Sequence, residues 1–163
     1  MKNLILICFI LIGAASFGQT AAYKKMLKEY YNDFPTITLS GALDHLKKSD
    51  AHFLDIREQK EFEVSHIRTA VRMNPDSEDL SKLKDIPKKD LIIVYCSVGA
   101  RSQTYGEMLK KKGYTNVVNL YGGLFNWTNH KFPMVDSNGK STVKIHGFSK
   151  DWGKWVTNGE VVY

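Results

Sequence analysis

Cysteine is scarce in this chain, with two among 163 residues, Cys8 and Cys96. A disulfide framework therefore cannot hold the fold together, because two cysteines form at most one bridge. Histidine is also sparse, and its five residues are dispersed with none at ligand spacing to a cysteine. No glycine pattern typical of phosphate binding occurs either. We therefore expect neither a metal ion nor a nucleotide cofactor.

Charge of one sign does not dominate the chain, whose formal net charge is +6. Its lysines form clusters such as those in 82–89 and 110–112, which are most often solvated faces. No aromatic residues alternate with these clusters as base stacking would require, so we expect no nucleic-acid partner. With 43% hydrophobic and 25% charged residues, the chain has the balance of one globular domain with a real core.

The N-terminus has a different character from the rest of the chain. Lys2 precedes an apolar run at 4–12, and small residues follow at 14–16 and at 18. This pattern predicts a secretory signal peptide over residues 1–18, cleaved after Gly18. The run is shorter than the roughly 20 residues that span a membrane, although an uncleaved anchor is the alternative. We therefore expect an exported protein, periplasmic or secreted, that is free of the membrane after cleavage and retains Cys96 alone.

Strand-like and helix-like stretches alternate through the rest of the chain. The strongest strand signal is "LIIVY" at 91–95, which is apolar throughout, as in a central parallel strand covered on both faces. The alternation predicts an α/β fold with a mostly parallel sheet. Further strands are predicted at 36–39, 51–56, 70–73 and 115–120, and helices at 21–31, from an N-cap at Ser40, at 80–84, at 101–112 and at 123–130.

The two ends of the mature chain are predicted to lie outside this alternating core. Residues 19–35 contain an N-terminal helix, and residues 136–163 form a β-prone C-terminal extension with Trp152 and Trp155. Two interpretations of the extension are open. It is either a small appendage packed on the domain or part of a substrate entrance or partner surface.

The segment "CSVGAR" at 96–101 carries the clearest chemical signal. Ligands bind beyond the carboxyl ends of parallel strands, and Cys96 lies at that end of the strongest strand. A glycine-containing turn that leads into a helix can gather backbone N–H groups around an anion, which would favour the nucleophilic thiolate. Arg101 adds a permanent charge for an anionic substrate. A buried structural cysteine is the plainer alternative. The N–H groups that would converge on the sulfur or its substrate belong to Ser97, Val98, Gly99, Ala100 and Ser102.

Four motifs, in order, resemble the family of rhodanese-like single-domain sulfurtransferases over residues 36–135. "LDIRE" is similar to the family's Asp-x-Arg motif at a strand end, and "YCSVGARS" to its active-site loop Cys-x-x-Gly-x-Arg-Ser. "EFEVSHIRTA" is similar to Glu-(Phe/Tyr)-x-x-Gly-His-Ile-x-Gly-Ala, with Ser65 and Thr69 in place of two glycines. "GYTNVVNLYGGLFNWTNHKFPMV" is similar to the closing stretch.

The resemblance implies a three-layer α/β fold and a persulfide mechanism without a cofactor. Cys96 would take the outer sulfur of a small anionic donor such as thiosulfate and pass it to cyanide or a thiol, a protein thiol included. Arg101 would bind the donor's anionic end, while Asp55 and Arg57 would brace the loop through charge-assisted hydrogen bonds. We expect His66 to be structural and Trp127 to belong to the core.

Two other functions fit the same loop. Cysteine phosphatases and arsenate reductases also combine a cysteine, an N–H cradle and an arginine. They place five residues between the two side chains, however, whereas four separate Cys96 from Arg101. The second alternative is a sulfur-binding or redox-sensing module without turnover, since an oxidising compartment favours oxidised thiols.

Overall fold

The computed structural model describes residues 21–163, so the predicted signal peptide lies outside the described residues. Within that range, no helix is both long enough and apolar enough to cross a bilayer.

The elements alternate as the sequence predicts. The strands are β1 (Thr36–Ile37), β2 (His52–Asp55), β3 (Val71–Arg72), β4 (Ile92–Tyr95), β5 (Val117–Leu120), β6 (Met134–Val135), β7 (Ser141–Thr142), β8 (Lys144–His146) and β9 (Glu160–Val162). The α-helices are α1 (Ala21–Tyr30), α2 (Leu39–Lys48), α3 (Gln59–Val64), α4 (Ala100–Lys111), α5 (Gly123–Asn129) and α6 (Lys150–Gly153).

Five strands form one parallel sheet in the order β1-β5-β4-β2-β3. The central strand is β4, and all four of its residues are buried. Its side chains alternate between two apolar clusters: Ile93 and Tyr95 belong to one, and Ile92 and Val94 to the other. Helices cover both faces, so the predicted α/β fold with a mostly parallel central sheet is confirmed.

Three local predictions differ from the structure. Helix α2 is capped by Thr38, not Ser40, because the Thr38 side chain accepts a hydrogen bond from the Gly41 N–H at 3.1 Å. The helix predicted at 80–84 is a single 3₁₀ turn, Ser81–Leu83. Helix α4 begins at Ala100, one residue earlier than predicted, with Gly99 as its N-cap at φ 106°.

The two departures from the family's glycine pattern have different consequences. Ser65 has φ −168°, an extended conformation open to any residue. Thr69 has φ 72°, a left-handed conformation that is unusual for a β-branched side chain. The backbone therefore keeps the turn that a glycine would form at 69 and carries strain there.

The C-terminal extension packs against the core and against α1. Strand β8 pairs with β9 in parallel, and Ile145 is fully buried in the cluster that contains Trp127. The ring of Trp155 lies 5.7 Å from that of Tyr23, centroid to centroid. The two segments that flank the sheet region are thus in contact with each other.

Candidate active site

Cys96 follows β4 at the carboxyl edge of the sheet and is 1% exposed. The N–H of Gly99 donates to its Sγ at 3.2 Å. The carbonyl of Cys96 accepts the Leu124 N–H at 2.8 Å, and that of Ser97 accepts the Phe125 N–H at 2.9 Å. Because a trans peptide points its N–H opposite its carbonyl, the N–H groups of residues 97 and 98 face away from α5. In this turn the carbonyl groups of Cys96 and Ser97 thus point towards α5, while the Gly99 N–H points at the sulfur.

The glycine pair before α5 permits this close approach. Gly122 and Gly123 both have positive φ, 77° and 59°. A Cβ on Gly123 would lie 2.7 Å from the carbonyl oxygen of Ser97, closer than side-chain carbons approach. The "YGGL" turn therefore places the N-terminus of α5 against the cysteine loop.

Glu61 is the main site residue that the sequence reasoning left without a role. Its carboxylate is fully buried and accepts two hydrogen bonds from Arg101, at 2.9 and 3.0 Å. The Ser97 hydroxyl donates to the same carboxylate at 2.9 Å. Glu61 thereby links α3 to the cysteine loop and to the first turn of α4. Its motif position in "EFEVSHIRTA" was the available signal, but its partners lie 36 and 40 residues away.

The electrostatics of this trio favour an ionised carboxylate. Burial acts to raise the pKa of Glu61, but the hydrogen bonds and charge of Arg101, with the charge of Arg57, hold that pKa below its ordinary value. Burial acts to lower the pKa of Arg101, and its contacts with Glu61 and Cys96 raise it overall. The pair is therefore an ion pair at neutral pH, which compensates much of the arginine's charge.

Asp55 and Arg57 form a second ion pair, with both side chains fully buried. The guanidinium donates to the Asp55 carboxylate at 2.8 Å from Nε and at 2.6 Å from Nη2. Nη2 also donates to the backbone oxygen of Ser65 at 2.6 Å. The predicted pairing is thus present, but its hydrogen bonds brace the turn at Ser65 instead of the loop at 96–101.

The loop is braced by residues that the sequence reasoning did not single out. The Asn119 side chain donates to the Gly99 carbonyl at 2.9 Å and accepts from the Ser102 hydroxyl at 2.8 Å. The Tyr31 hydroxyl donates to the Val98 carbonyl at 2.9 Å. The Ser102 hydroxyl is therefore engaged in the brace, while its backbone N–H lies in the first helical turn, where the helix supplies no acceptor.

His66 and Trp127 have structural surroundings, as expected. The His66 ring stacks on Phe62 at 3.8 Å, and its Nδ1 donates to the Phe62 carbonyl at 2.9 Å. Trp127 is fully buried and donates to the Pro133 carbonyl at 3.0 Å. Residues 21–163 contain no cluster of three potential metal-ligating side chains.

A cavity of about 170 Å³ adjoins Cys96. Arg101 and Phe148 lie on its wall and also on the wall of a larger neighbouring cleft of about 590 Å³. The aromatic residues of α1 and of the C-terminal extension are visible in the sequence, but only tertiary packing brings them together at this wall. The smaller cavity is lined by Tyr30, Cys96, Ser97, Val98, Ala100, Arg101, Phe148 and Trp152.

The sequence model of the family described as the rhodanese-like domain matches residues 38–130, more than half of the chain. The chain is 31% identical over 101 residues to the thiosulfate sulfurtransferase GlpE of Coxiella burnetii, covering 60% of this chain and 89% of that protein. It is also 30% identical over 98 residues to a tRNA uridine(34) hydroxylase of Aster yellows witches'-broom phytoplasma. That match covers 54% of this chain but only 30% of the hydroxylase. A rhodanese-related protein from Thermoplasma volcanium superposes with a TM-score of 0.54 at 26% identity, covering 63% of this chain and 98% of that one.

Proposed function

The chain belongs to the rhodanese-like domain family, and on that premise we propose that it is a sulfurtransferase whose Cys96 carries sulfur as a persulfide. The donor is a small anion such as thiosulfate, and the acceptor is cyanide or a thiol. The observation that carries the proposal is the Gly99 N–H directed at the Cys96 sulfur, beside a cavity at the carboxyl edge of the sheet. The four-residue spacing between Cys96 and Arg101 supports sulfur chemistry over a phosphatase.

In the first half-reaction, the Cys96 thiolate attacks the outer sulfur of thiosulfate. The donor's S–S bond breaks, its electron pair leaves with sulfite, and a persulfide anion forms on Cys96. Backbone N–H groups of the loop and of the first turn of α4 would stabilise this charge, as an oxyanion hole does. In the second half-reaction, the acceptor attacks the outer sulfur and the electron pair of the S–S bond returns to Cys96.

Two half-reactions through one covalent enzyme form predict ping-pong kinetics. Initial rates measured over a grid of thiosulfate and cyanide concentrations should give parallel lines in a double-reciprocal plot. Lines that intersect would show that both substrates bind before any product leaves, and the persulfide would then not be an independent intermediate.

We further propose that Arg101 binds the donor's anionic end. An arginine has five N–H donors, of which three bond Glu61 and Ser97, and the other two are shared between the Cys96 sulfur and a ligand. Arg101→Ala should raise the KM for thiosulfate by about tenfold to a hundredfold, the value of a charge-assisted hydrogen bond, with a smaller change in kcat.

Steady-state kinetics on that variant are compared with those on Arg68→Ala, which removes an exposed arginine. Arg101→Ala should also lower the free energy of unfolding, because Glu61 loses its ion-pair partner. The measurements are therefore made at a temperature where the variant is fully folded. An unchanged KM for thiosulfate would remove Arg101 from donor binding.

A further inference from the structure

The cavity beside Cys96 takes part of its wall from segments outside the family match. Tyr30 precedes residues 38–130, and Phe148 and Trp152 follow them. All three are aromatic, and the loop adds the small side chains of Val98 and Ala100. The surface that faces a substrate's non-reacting part is therefore largely apolar and is contributed by the chain's two flanking segments.

The rings of this aromatic wall contact each other and Arg101. The Tyr30 and Trp152 rings lie 5.6 Å apart, centroid to centroid, in a tilted arrangement. The Phe148 ring lies 5.1 Å from the Arg101 guanidinium carbon. The Phe148 N–H donates to His146 at 3.0 Å and the residue has φ 63°, so its backbone is held in an uncommon conformation.

The charge available to a ligand in this cavity is small. Arg101 is the charged residue among the described side chains that line it, and its guanidinium is paired with the buried Glu61 carboxylate. The N–H donors of Arg101 that are not bonded to Glu61 or Ser97 lie beside the Cys96 sulfur and match one anionic head group. A second negative charge would find no second cationic side chain on the described wall, and its transfer from water into largely apolar surroundings is unfavourable.

Resting on the sulfurtransferase function proposed above, we propose that the preferred donor is a sulfane-sulfur compound with one negative charge and an apolar, ring-sized substituent. An organic thiosulfonate has this chemistry: its sulfonyl group meets Arg101 and its substituent contacts Phe148 and Trp152. The cavity of about 170 Å³ suits a single ring, since an apolar cavity of about 150 Å³ accommodates benzene.

The transfer step balances with a thiosulfonate as it does with thiosulfate. The Cys96 thiolate attacks the outer sulfur, the S–S bond of the donor breaks, and its electron pair leaves with the organic sulfinate. The new S–S bond leaves one negative charge on the Cys96 persulfide and one on the sulfinate. No proton, oxidant or reductant is required.

The test compares three donors with cyanide as acceptor: thiosulfate, methanethiosulfonate and benzenethiosulfonate. Each kcat/KM is divided by the rate constant of the uncatalysed reaction with cyanide, which removes differences in intrinsic reactivity. We expect benzenethiosulfonate to exceed methanethiosulfonate by about tenfold, the contribution of a packed aromatic contact, and thiosulfate to have the lowest value. The comparison of the two thiosulfonates isolates the effect of the substituent, and the comparison of methanethiosulfonate with thiosulfate isolates the effect of the charge.

The same comparison on Phe148→Ala and Trp152→Ala assigns the preference to the aromatic wall. Each substitution should reduce the ratio of the benzenethiosulfonate value to the methanethiosulfonate value several-fold. The ratio is taken within each variant, so a change in kcat/KM that is common to all donors cancels. Tyr163→Ala removes an aromatic ring of the same extension that is 62% exposed and does not line the cavity, so its ratio should equal that of the unmodified protein.

The outcomes separate this inference from the function on which it rests. If thiosulfate transfers sulfur but the three donors are used equally, or the ratio survives both substitutions, the donor class is wrong and the sulfurtransferase stands. If none of the three donors transfers sulfur to Cys96, both proposals fail.

Discussion

Asp55→Ala is expected to lower the free energy of unfolding by about 3–5 kcal/mol, the penalty typical of a buried ion pair that loses one partner. The Arg57 guanidinium is fully buried, and removal of the carboxylate takes away its ion-pair partner. One of its nitrogens, Nη1, has no hydrogen-bond partner among the described residues. Without Asp55, the guanidinium keeps its hydrogen bond to the Ser65 carbonyl oxygen. Denaturant titration followed by tryptophan fluorescence measures the change.

The exposed pair Lys144–Glu160 provides the matched control. Its charged atoms lie 3.7 Å apart with both side chains more than half exposed, so Glu160→Ala should change stability by no more than about 1 kcal/mol. The double substitution Asp55→Leu with Arg57→Met should recover much of the loss, because it removes both charges together. A loss from Asp55→Ala no larger than that from Glu160→Ala would contradict the view that this pair supports the fold.

Cys96→Ala is expected to abolish sulfur transfer while leaving the fold intact. The proposed mechanism has no route for sulfur that avoids the Cys96 thiolate, so no turnover above the uncatalysed rate should be detectable. The stability loss should be about 1 kcal/mol, because the side chain is small and only its sulfur is removed from the core. Thiocyanate production and thermal unfolding measure the two effects.

Cys8→Ala is the control for this variant, because it removes the other cysteine of the chain and lies within the predicted signal peptide. It should transfer sulfur at the unmodified rate. Turnover by Cys96→Ala would contradict the covalent mechanism, and a collapse of its stability would show that Cys96 is chiefly a packing residue.

The local parts of the site could be predicted because their signals are contiguous in the sequence. "LIIVY" identifies the central strand, and the order of strand, Cys96, glycine turn, Arg101 and helix lies within about twenty residues. The resemblance to the rhodanese-like family added Asp55 and Arg57, which do form a pair.

The contacts that complete the site could not be predicted, because they join residues far apart in the chain. The position of Glu61 against Arg101 depends on where the tertiary fold places α3 relative to the first turn of α4. In the same way, Tyr31 contacts Val98, 67 residues away along the chain. The positive charge of Arg101 follows from its residue type, whereas its pairing with the Glu61 carboxylate arises from tertiary packing. The packing of the extension on α1 depends in the same way on aromatic contacts that no local pattern encodes.

Intact mass after incubation with thiosulfate, and again after addition of cyanide, tests the central proposal most directly. We predict a gain of about 32 Da, one sulfur atom, that cyanide removes and that is absent from Cys96→Ala. A protein with a free Cys96 thiol that gains no mass from thiosulfate, methanethiosulfonate or benzenethiosulfonate would contradict the assignment of Cys96 as a sulfur carrier.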